Sequence, residues 1–386
     1  MTDAAVIVVG GGPAGAATAA ALSADGIDVL VLDRARFPRD KACAEFLSPG
    51  AVAALARLGL ADAAGARGSW QEGMRIVSGG AAVTLRYEAP RRGLGIPRRE
   101  LDALLLAAAR AAGAEVREGV SVAAAVVEAG RVRGVRLRDG RVLRADLVVG
   151  ADGLRSPVAR SLGLERPARW PRRLGLVARV RGIPPRPLGL MAVGRLGYCG
   201  VASVGAETSV GMAVSPRARR PGESASALFE RVLASLPEAA RAVEGATDAG
   251  PLRGVAPLAR RVSRVAGTGF LLVGDAAGFV DPFTGEGVHR ALRGAELAAA
   301  AAARALARRD REPVGYAEER RSAFAAKERA VLLLQAALAA PPVFDHCLRR
   351  AGSSARVART LAGVFGDYVP ANAALRPSLV AALLRP

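Results

Sequence analysis

The sequence predicts an α/β fold in three parts: a Rossmann-like, GxGxxG-type nucleotide-binding domain, an antiparallel β-sheet domain inserted into it, and a helical C-terminus. Three observations predict this. An apolar β-branched run enters a glycine-rich turn within the first fifteen residues. Apolar runs ending in Asp-Gly or Gly-Asp return near residues 150 and 275. Between residues 167 and 254 the rhythm changes to short strand-like segments broken by prolines. The expected nucleotide-binding segments are 1–74, 95–166 and 255–312, the sheet domain 75–94 and 167–254, and the helical tail 313–386.

The first unit is the clearest. Val6-Ile7-Val8-Val9 reads as a strand buried on both faces. It runs into Gly10-Gly11-Gly12-Pro13-Ala14-Gly15, then a helical segment to Ala24, then a second apolar strand, Val29 to Leu32, ending at Asp33. Strand, GxGxxG, helix, strand, acid is the dinucleotide-binding pattern. Gly10 permits the tight turn, Gly12 lets backbone approach a pyrophosphate, and Gly15 allows close helix–strand packing. The helix start offers free N–H groups to phosphate, and Asp33 is placed to accept from a ribose.

Two further strands carry the same logic. Asp146 to Gly150 leads into Ala151-Asp152-Gly153, and Phe270 to Val273 into Gly274-Asp275-Ala276-Ala277-Gly278. With the GxGxxG, these resemble the three fingerprints of the FAD-dependent oxidoreductases of the p-hydroxybenzoate hydroxylase type, over about residues 4–300. One departure is that Ala159 stands where that family has an arginine after the Asp-Gly turn, with Arg160 next to it. The runs Gly274 to Val288 and Lys41 to Ser48 resemble the geranylgeranyl reductase branch. The resemblance implies FAD as cofactor, held by Gly10, Gly12, Pro13, Ala14, Gly15, Asp33, Arg34, Ala44, Arg98, Val122, Asp152, Gly274, Asp275, Pro282, Gly285, Gly287 and Val288. Asp275, at a strand end, is placed for a ribityl hydroxyl. The turn at Thr284 to Val288 opens a long helix whose free N–H groups suit the charge a reduced flavin develops.

Three residues are candidates for proton chemistry. Cys43 is expected over the ring, with Lys41 two positions away to lower its pKa, or else as a small buried hydrophobe. Glu45 is an acid near the ring or an ion-pair partner. Glu286 is a proton relay or a complement to the helix dipole. His289 reads as a satisfied or surface histidine.

The rest of the chain positions a substrate. A helix is expected over Arg99 to Ala112, and a hairpin with a type I′ turn at Asp139-Gly140. Strands are expected at 176–180, 198–204 and 209–214, with a break at Pro184 to Pro187, and a helix from Glu223 to about Leu236. Geranylgeranyl reductases line their prenyl cavity with an aromatic-x-Trp-x-aromatic-Pro stretch followed by G-x-G. Here the spacing survives as Tyr198, Gly200, Ala202 and Gly211, with smaller side chains. These imply a wider cavity and a broader hydrophobic substrate: a polycyclic, polyketide or isoprenoid metabolite. Flavin halogenases share the fold, but their WxWxIP stretch is missing here. The expected activity is C=C reduction by hydride from flavin N5. The alternative is a monooxygenase working through a flavin C4a-hydroperoxide, and a weaker one is a non-catalytic electron-transfer or regulatory flavoprotein. There is no second GxGxxG, so NAD(P)H is expected only as a transient reductant.

Composition narrows the partners. Of the 386 residues, 51% are hydrophobic, enough for a large core and too many for a disordered chain. With only 4% aromatic residues, that core must be Ala, Val and Leu. The formal charge is +20, but Lys41 and Lys327 are the only lysines and the arginines are spread along the chain. A nucleic-acid partner is therefore not expected, while a peripheral membrane contact stays open. Cys43, Cys199 and Cys347 form no pair motif, and with two histidines no metal site is expected. No signal-type leader precedes the first strand and no run of about twenty apolar residues occurs, so a cytoplasmic location is the expectation. Oligomeric state is not legible.

Overall fold

The computed structural model describes residues 2–308 and 310–385. Met1, Arg309 and Pro386, which fall within the segments named above, lie outside the described residues. The first strand, Ala4–Val9, is interior on both faces and sits in the middle of a largely parallel sheet. The sheet order is Ala266–Gly267, Phe270–Leu272, Val142–Gly150, Ala4–Val9, Val29–Asp33, Glu115–Glu118. Helices Pro13–Ala24, Arg98–Ala111 and Gly287–Leu306 cover one face. The hairpin strands Val122–Glu128 and Arg131–Leu137, with helix Pro157–Ser161, cover the other. Alanines dominate the contact between the first and last of these helices (Ala16, Ala17 and Ala19 with Ala291, Ala295 and Ala298). Small side chains let the helix backbones approach, which is how a core poor in aromatics packs without voids.

Register places the chemistry. Val9 pairs with Gly150, and Gly150 with Leu272. Three parallel strands therefore end level, and the glycine-rich turn, Asp152-Gly153 and Gly274-Asp275 meet at one carboxyl edge, where open α/β sheets bind ligands.

The second sheet runs Asp248–Ala249, Leu174–Arg181, Glu207–Val214, Gly197–Val204, Leu188–Gly194, Gly73–Ser78, Ala81–Arg86, with Arg253–Val255 also on Leu174–Arg181. Helices Ala225–Ala234 and Pro237–Ala242 cover one face. The C-terminal helices Tyr316–Leu338, Pro341–Gly352, Ala355–Phe365 and Pro377–Leu384 pack on part of the other.

Two local expectations change. Leu188–Gly194 is a strand, joined in parallel to Gly73–Ser78; its glycines and Leu-Met composition hid it behind the proline break. The hairpin turn is not type I′, because only Gly140 has positive φ (+90°) and Asp139 does not. Gly140 N–H donates to Leu137 and Leu137 N–H to Arg141, a type I turn closed by a glycine bulge. Pro341-Pro342 opens the helix Pro341–Gly352, since proline suits the first turn.

Candidate functional site: a nucleotide cradle facing a sheet

The cradle begins where helix Pro13–Ala24 meets the first strand. Gly10 has φ +104°, and a Cβ there would lie 2.5 Å from the Ala151 carbonyl oxygen. A Cβ on Gly15 would lie 1.8 Å from the Gly10 oxygen. Both positions are closed by backbone, whereas Gly12 meets only the Arg39 guanidinium, at 3.5 Å, and is otherwise open. Pro13 and Ala14 begin the helix. The buried Asp33 is aimed by two N–H donors, Gly11 at 2.7 Å and Ala35 at 2.8 Å, while Arg34 beside it is exposed. Val122 is buried at the start of its strand.

Asp152 accepts from Val158 N–H through Oδ2 (3.2 Å), while its Oδ1 is buried without a protein partner. Thr284 Oγ1 is likewise buried and unpartnered in the later turn. Unsatisfied buried polar atoms at a glycine-built opening call for a polar ligand. A dinucleotide with hydroxyls and a pyrophosphate fits that donor and acceptor set.

Asp152 also has a consequence for stability. Burial, the largest cause, pushes its carboxyl from 3.8 up to about 6, against hydrogen bonds from Ser156 and Val158 that lower it. A carboxyl raised on folding favours the folded state below its unfolded pKa, and that contribution is lost as pH rises through the folded pKa. Between about pH 4 and pH 6 the flavin-free protein is expected to lose up to about 3 kcal/mol that an Asp152→Asn variant does not lose. Parallel urea titrations of both proteins across that window check it; equal losses would mean the carboxyl is ionised throughout.

Lys41 corrects an expectation. Its Nζ lies 3.8 Å from Asp275 Oδ2, so its charge is directed at the strand-end aspartate rather than at Cys43. The cation beside Cys43 is Arg98. Burial works against that guanidinium's charge, but Asp102 chiefly, and then Cys43, hold its pKa above the ordinary value. Arg98 is bound to Asp102 by two hydrogen bonds, at 2.7 and 2.8 Å, and Arg39 reaches the same carboxylate at 3.0 Å.

Glu45 sits in a left-handed conformation (φ +62°) that only a fixed surrounding sustains. Its Oε1 accepts from Arg98 N–H at 2.9 Å, its own N–H faces Cys43 Sγ at 3.4 Å, and its Oε2 is buried without a hydrogen-bond partner. Burial raises its pKa, opposed by the Arg98 N–H and by Arg179. Lys41, Cys43, Glu45, Val177, Arg179 and Arg253 line a cavity of about 10 Å³, room for one water. The supporting ion pairs were not legible in sequence: Asp40 bridges Arg179 (2.5 Å) and Arg253 (2.9 Å), three residues far apart in the chain.

The opposite wall is the second sheet. Tyr198, Gly200 and Ala202 alternate onto one face of their strand, and Gly200 pairs with Gly211. The expected widening is corrected by the neighbours. A Cβ on Gly211 would be 3.0 Å from Ala44 Cβ, and one on Gly200 would be 3.4 Å from Met191 Cε. Ala44, which is exposed, and the buried Met191 occupy the space that larger residues would fill. Tyr198 is buried, stacked edge-on to Phe283 at 4.9 Å, and donates to Asp281 Oδ1 at 2.5 Å. Burial raises the pKa of both partners. Arg173 approaches Asp281 Oδ2 at 3.4 Å and donates to Gln335 at 3.0 Å, so this one aspartate ties the sheet and the tail to the turn at Pro282.

Gly285 (φ +69°) lies against the Phe46 ring, and Gly287 and Val288 start the helix Gly287–Leu306. Glu286 is buried there, its carboxyl raised by desolvation and directed at Arg290 (3.5 Å) and Lys327 (3.8 Å). Lys327 also binds Asp367 at 2.7 Å, and His289 Nδ1 is 3.6 Å from the same residue. Glu286 thus shares its charged neighbours with the tail, and Glu45 shares its own with the second sheet. Arg160 reaches Glu165 on the surface, at 3.4 Å.

A family model described as FAD binding domain matches residues 3–330. The chain belongs to this FAD-binding family and is an FAD-dependent oxidoreductase. It is 35% identical over 322 residues to a menaquinone reductase of Mycolicibacterium smegmatis, covering 77% of this chain and 76% of that one. It is 32% identical over 314 residues to digeranylgeranylglycerophospholipid reductase 1 of Methanopyrus kandleri, covering 78% and 80%. These place it in the geranylgeranyl reductase-like branch. A rifampicin monooxygenase of Streptomyces venezuelae is 35% identical over 169 residues, 42% of this chain and 34% of that one. In fold it superposes on a triple mutant of the flavin-dependent brominase Bmp2 with TM-score 0.84 over 98% of both chains, at 20% identity.

Proposed function

We propose that this flavoprotein reduces a C=C bond of an isoprenoid-type hydrophobic molecule, with NAD(P)H as a transient reductant. The observation that carries the reading is the meeting of Cys43 and Glu45 in one small cavity against strand Leu174–Arg181. Saturating a C=C bond takes a hydride on one carbon and a proton on the other. Bound FAD supplies hydride chemistry; the chain has to supply the proton and keep water out. Glu45, its pKa raised by burial against the pull of Arg179, has an Oε2 free of hydrogen bonds through which a proton can pass. Cys43, two positions away, is the donor to carbon, and the single water the cavity admits returns the proton from Glu45. The two reductase relatives support this direction, since their names specify a quinone and a lipid with isoprenoid chains.

The test is product mass under argon, with NADPH and either a menaquinone or a geranylgeranyl-chain lipid. A gain of two hydrogens, reduced sharply in Cys43→Ala and Glu45→Gln variants that keep their flavin, is expected. The monooxygenase relative gives the second reading its substance. A product that gains one oxygen atom, and forms only in air, would replace the reductase assignment with that one.

A further inference from the structure

From Ala330 to Phe344 the chain carries no charged residue. This stretch ends helix Tyr316–Leu338 and begins Pro341–Gly352, and the two axes turn by 117° between them. Phe344 and Leu338 face the tail's core, but Leu332, Leu333, Ala336, Pro341, Pro342 and Val343 are exposed. Leu333 is 58% exposed and Val343 44%. Single exposed leucines need no explanation, but an uninterrupted apolar corner does.

The surroundings of the corner are cationic. Arg329 lies one turn before Leu332 and Leu333, on the same stripe of the helix. Arg349 is exposed on the following helix. Arg173 donates to Gln335, which brings the preceding loop alongside the Tyr316–Leu338 helix. That loop holds Trp170, 47% exposed, between the exposed Arg169 and Arg172. The local ion pairs are made by other residues, Arg173 with Asp281 and Arg290 with Glu328, and among the described residues these four guanidiniums make no ion pair.

We propose that this corner docks on an anionic lipid bilayer. Leu332, Leu333, Val343 and Trp170 enter the interface, where apolar side chains and tryptophan gain most, and Arg169, Arg172, Arg329 and Arg349 meet the headgroup phosphates. Charge complementarity selects the occupant: a second copy of a chain with formal charge +20 would bring like-charged rims together. The surface belongs to the tail and its loop alone, so it stands whether the flavin reduces or oxygenates its substrate.

The experiment uses holoprotein and vesicles of phosphatidylglycerol and phosphatidylcholine, with pure phosphatidylcholine as the comparison. The chain has two tryptophans, so a Trp70→Phe variant leaves Trp170 as the only reporter. Expected are co-sedimentation with the anionic vesicles, a blue shift of Trp170 emission, and loss of binding with salt. The variant Leu332→Asp, Leu333→Asp, Val343→Asp should bind at least about tenfold more weakly while keeping its flavin content, because these side chains are exposed. The proposal is overturned by no partition to anionic vesicles, by equal binding to neutral ones, or by a triple variant that binds like the parent. A concentration-dependent dimer that the triple variant abolishes would assign the corner to self-association instead.

Discussion

Gly15→Ala is expected to yield a protein that retains no flavin. The added methyl would sit 1.8 Å from the Gly10 carbonyl oxygen and 3.1 Å from Ala151 Cβ. The first obstacle is backbone, not the end of a flexible side chain, so relief requires helix Pro13–Ala24 to move off the strand. Overpacking usually costs 1–3 kcal/mol, and a clash with backbone belongs at or above that range. The helix start is also what presents N–H groups to the pyrophosphate, so its displacement removes binding as well as stability. We expect FAD affinity to fall by more than about a hundredfold, with a lower unfolding midpoint for the flavin-free protein. Gly12→Ala separates the two effects. Its methyl meets only the Arg39 guanidinium, so the apoprotein should unfold like the parent, yet the methyl would stand where a phosphate has to approach. Visible absorbance per protein and FAD titration of the apoprotein measure both variants. A Gly15→Ala protein isolated with a full flavin complement would mean that this turn is not the cofactor cradle.

How much of this was legible in the sequence follows from what each part depends on. The nucleotide domain rests on local signals: a β-branched run, glycines at fixed offsets and an acid at a strand end. Such signals survive in one dimension, and they located Gly10, Gly15 and Asp33 correctly in the turn and strand they occupy. Three strands of the second sheet are legible in the sequence, but not Leu188–Gly194, whose glycines and lack of alternation give no period-2 pattern. Distance defeated the reading most clearly at the ion pairs. Asp40 with Arg179 and Arg253, Tyr198 with Asp281, and Lys327 with Asp367 are contacts between segments that no spacing rule connects. The Lys41 expectation failed for the same reason. Proximity in sequence suggested Cys43, but the loop turns the ammonium toward Asp275, and Arg98 from a different helix reaches the thiol. Packing closes the substrate space: small residues in a strand predict room only if nothing else fills it, and Ala44 and Met191 do.

Arg98 carries the other large effect. Its guanidinium is buried and holds the fully buried Asp102 by two hydrogen bonds. Replacing it with alanine would leave Asp102 with Arg39 alone, a partner that is partly solvated and makes one contact at 3.0 Å. Stranding a buried charge in this way costs about 3–5 kcal/mol, and Arg98→Ala is expected to fall in that range by urea denaturation. Arg98→Lys should recover little of it, because a single ammonium cannot reproduce the planar two-point fit. Removing both charges, as Arg98→Met with Asp102→Asn, should be milder than the alanine variant, since no unpaired carboxylate then remains. The double-mutant cycle therefore predicts a favourable coupling of more than about 1 kcal/mol between the two residues. The consequence for chemistry differs from that for stability. Glu45 is held by the backbone N–H of residue 98, which no substitution there except proline removes, so Glu45 stays placed while Cys43 loses the cation beside it. A change confined to the pH profile of turnover in Arg98→Lys, with flavin content intact, would locate the role of Arg98 at the thiol. A loss of under 1 kcal/mol in Arg98→Ala would instead mean that Asp102 reaches solvent when the protein is folded, and the buried pair would have no part in holding the Cys43 loop.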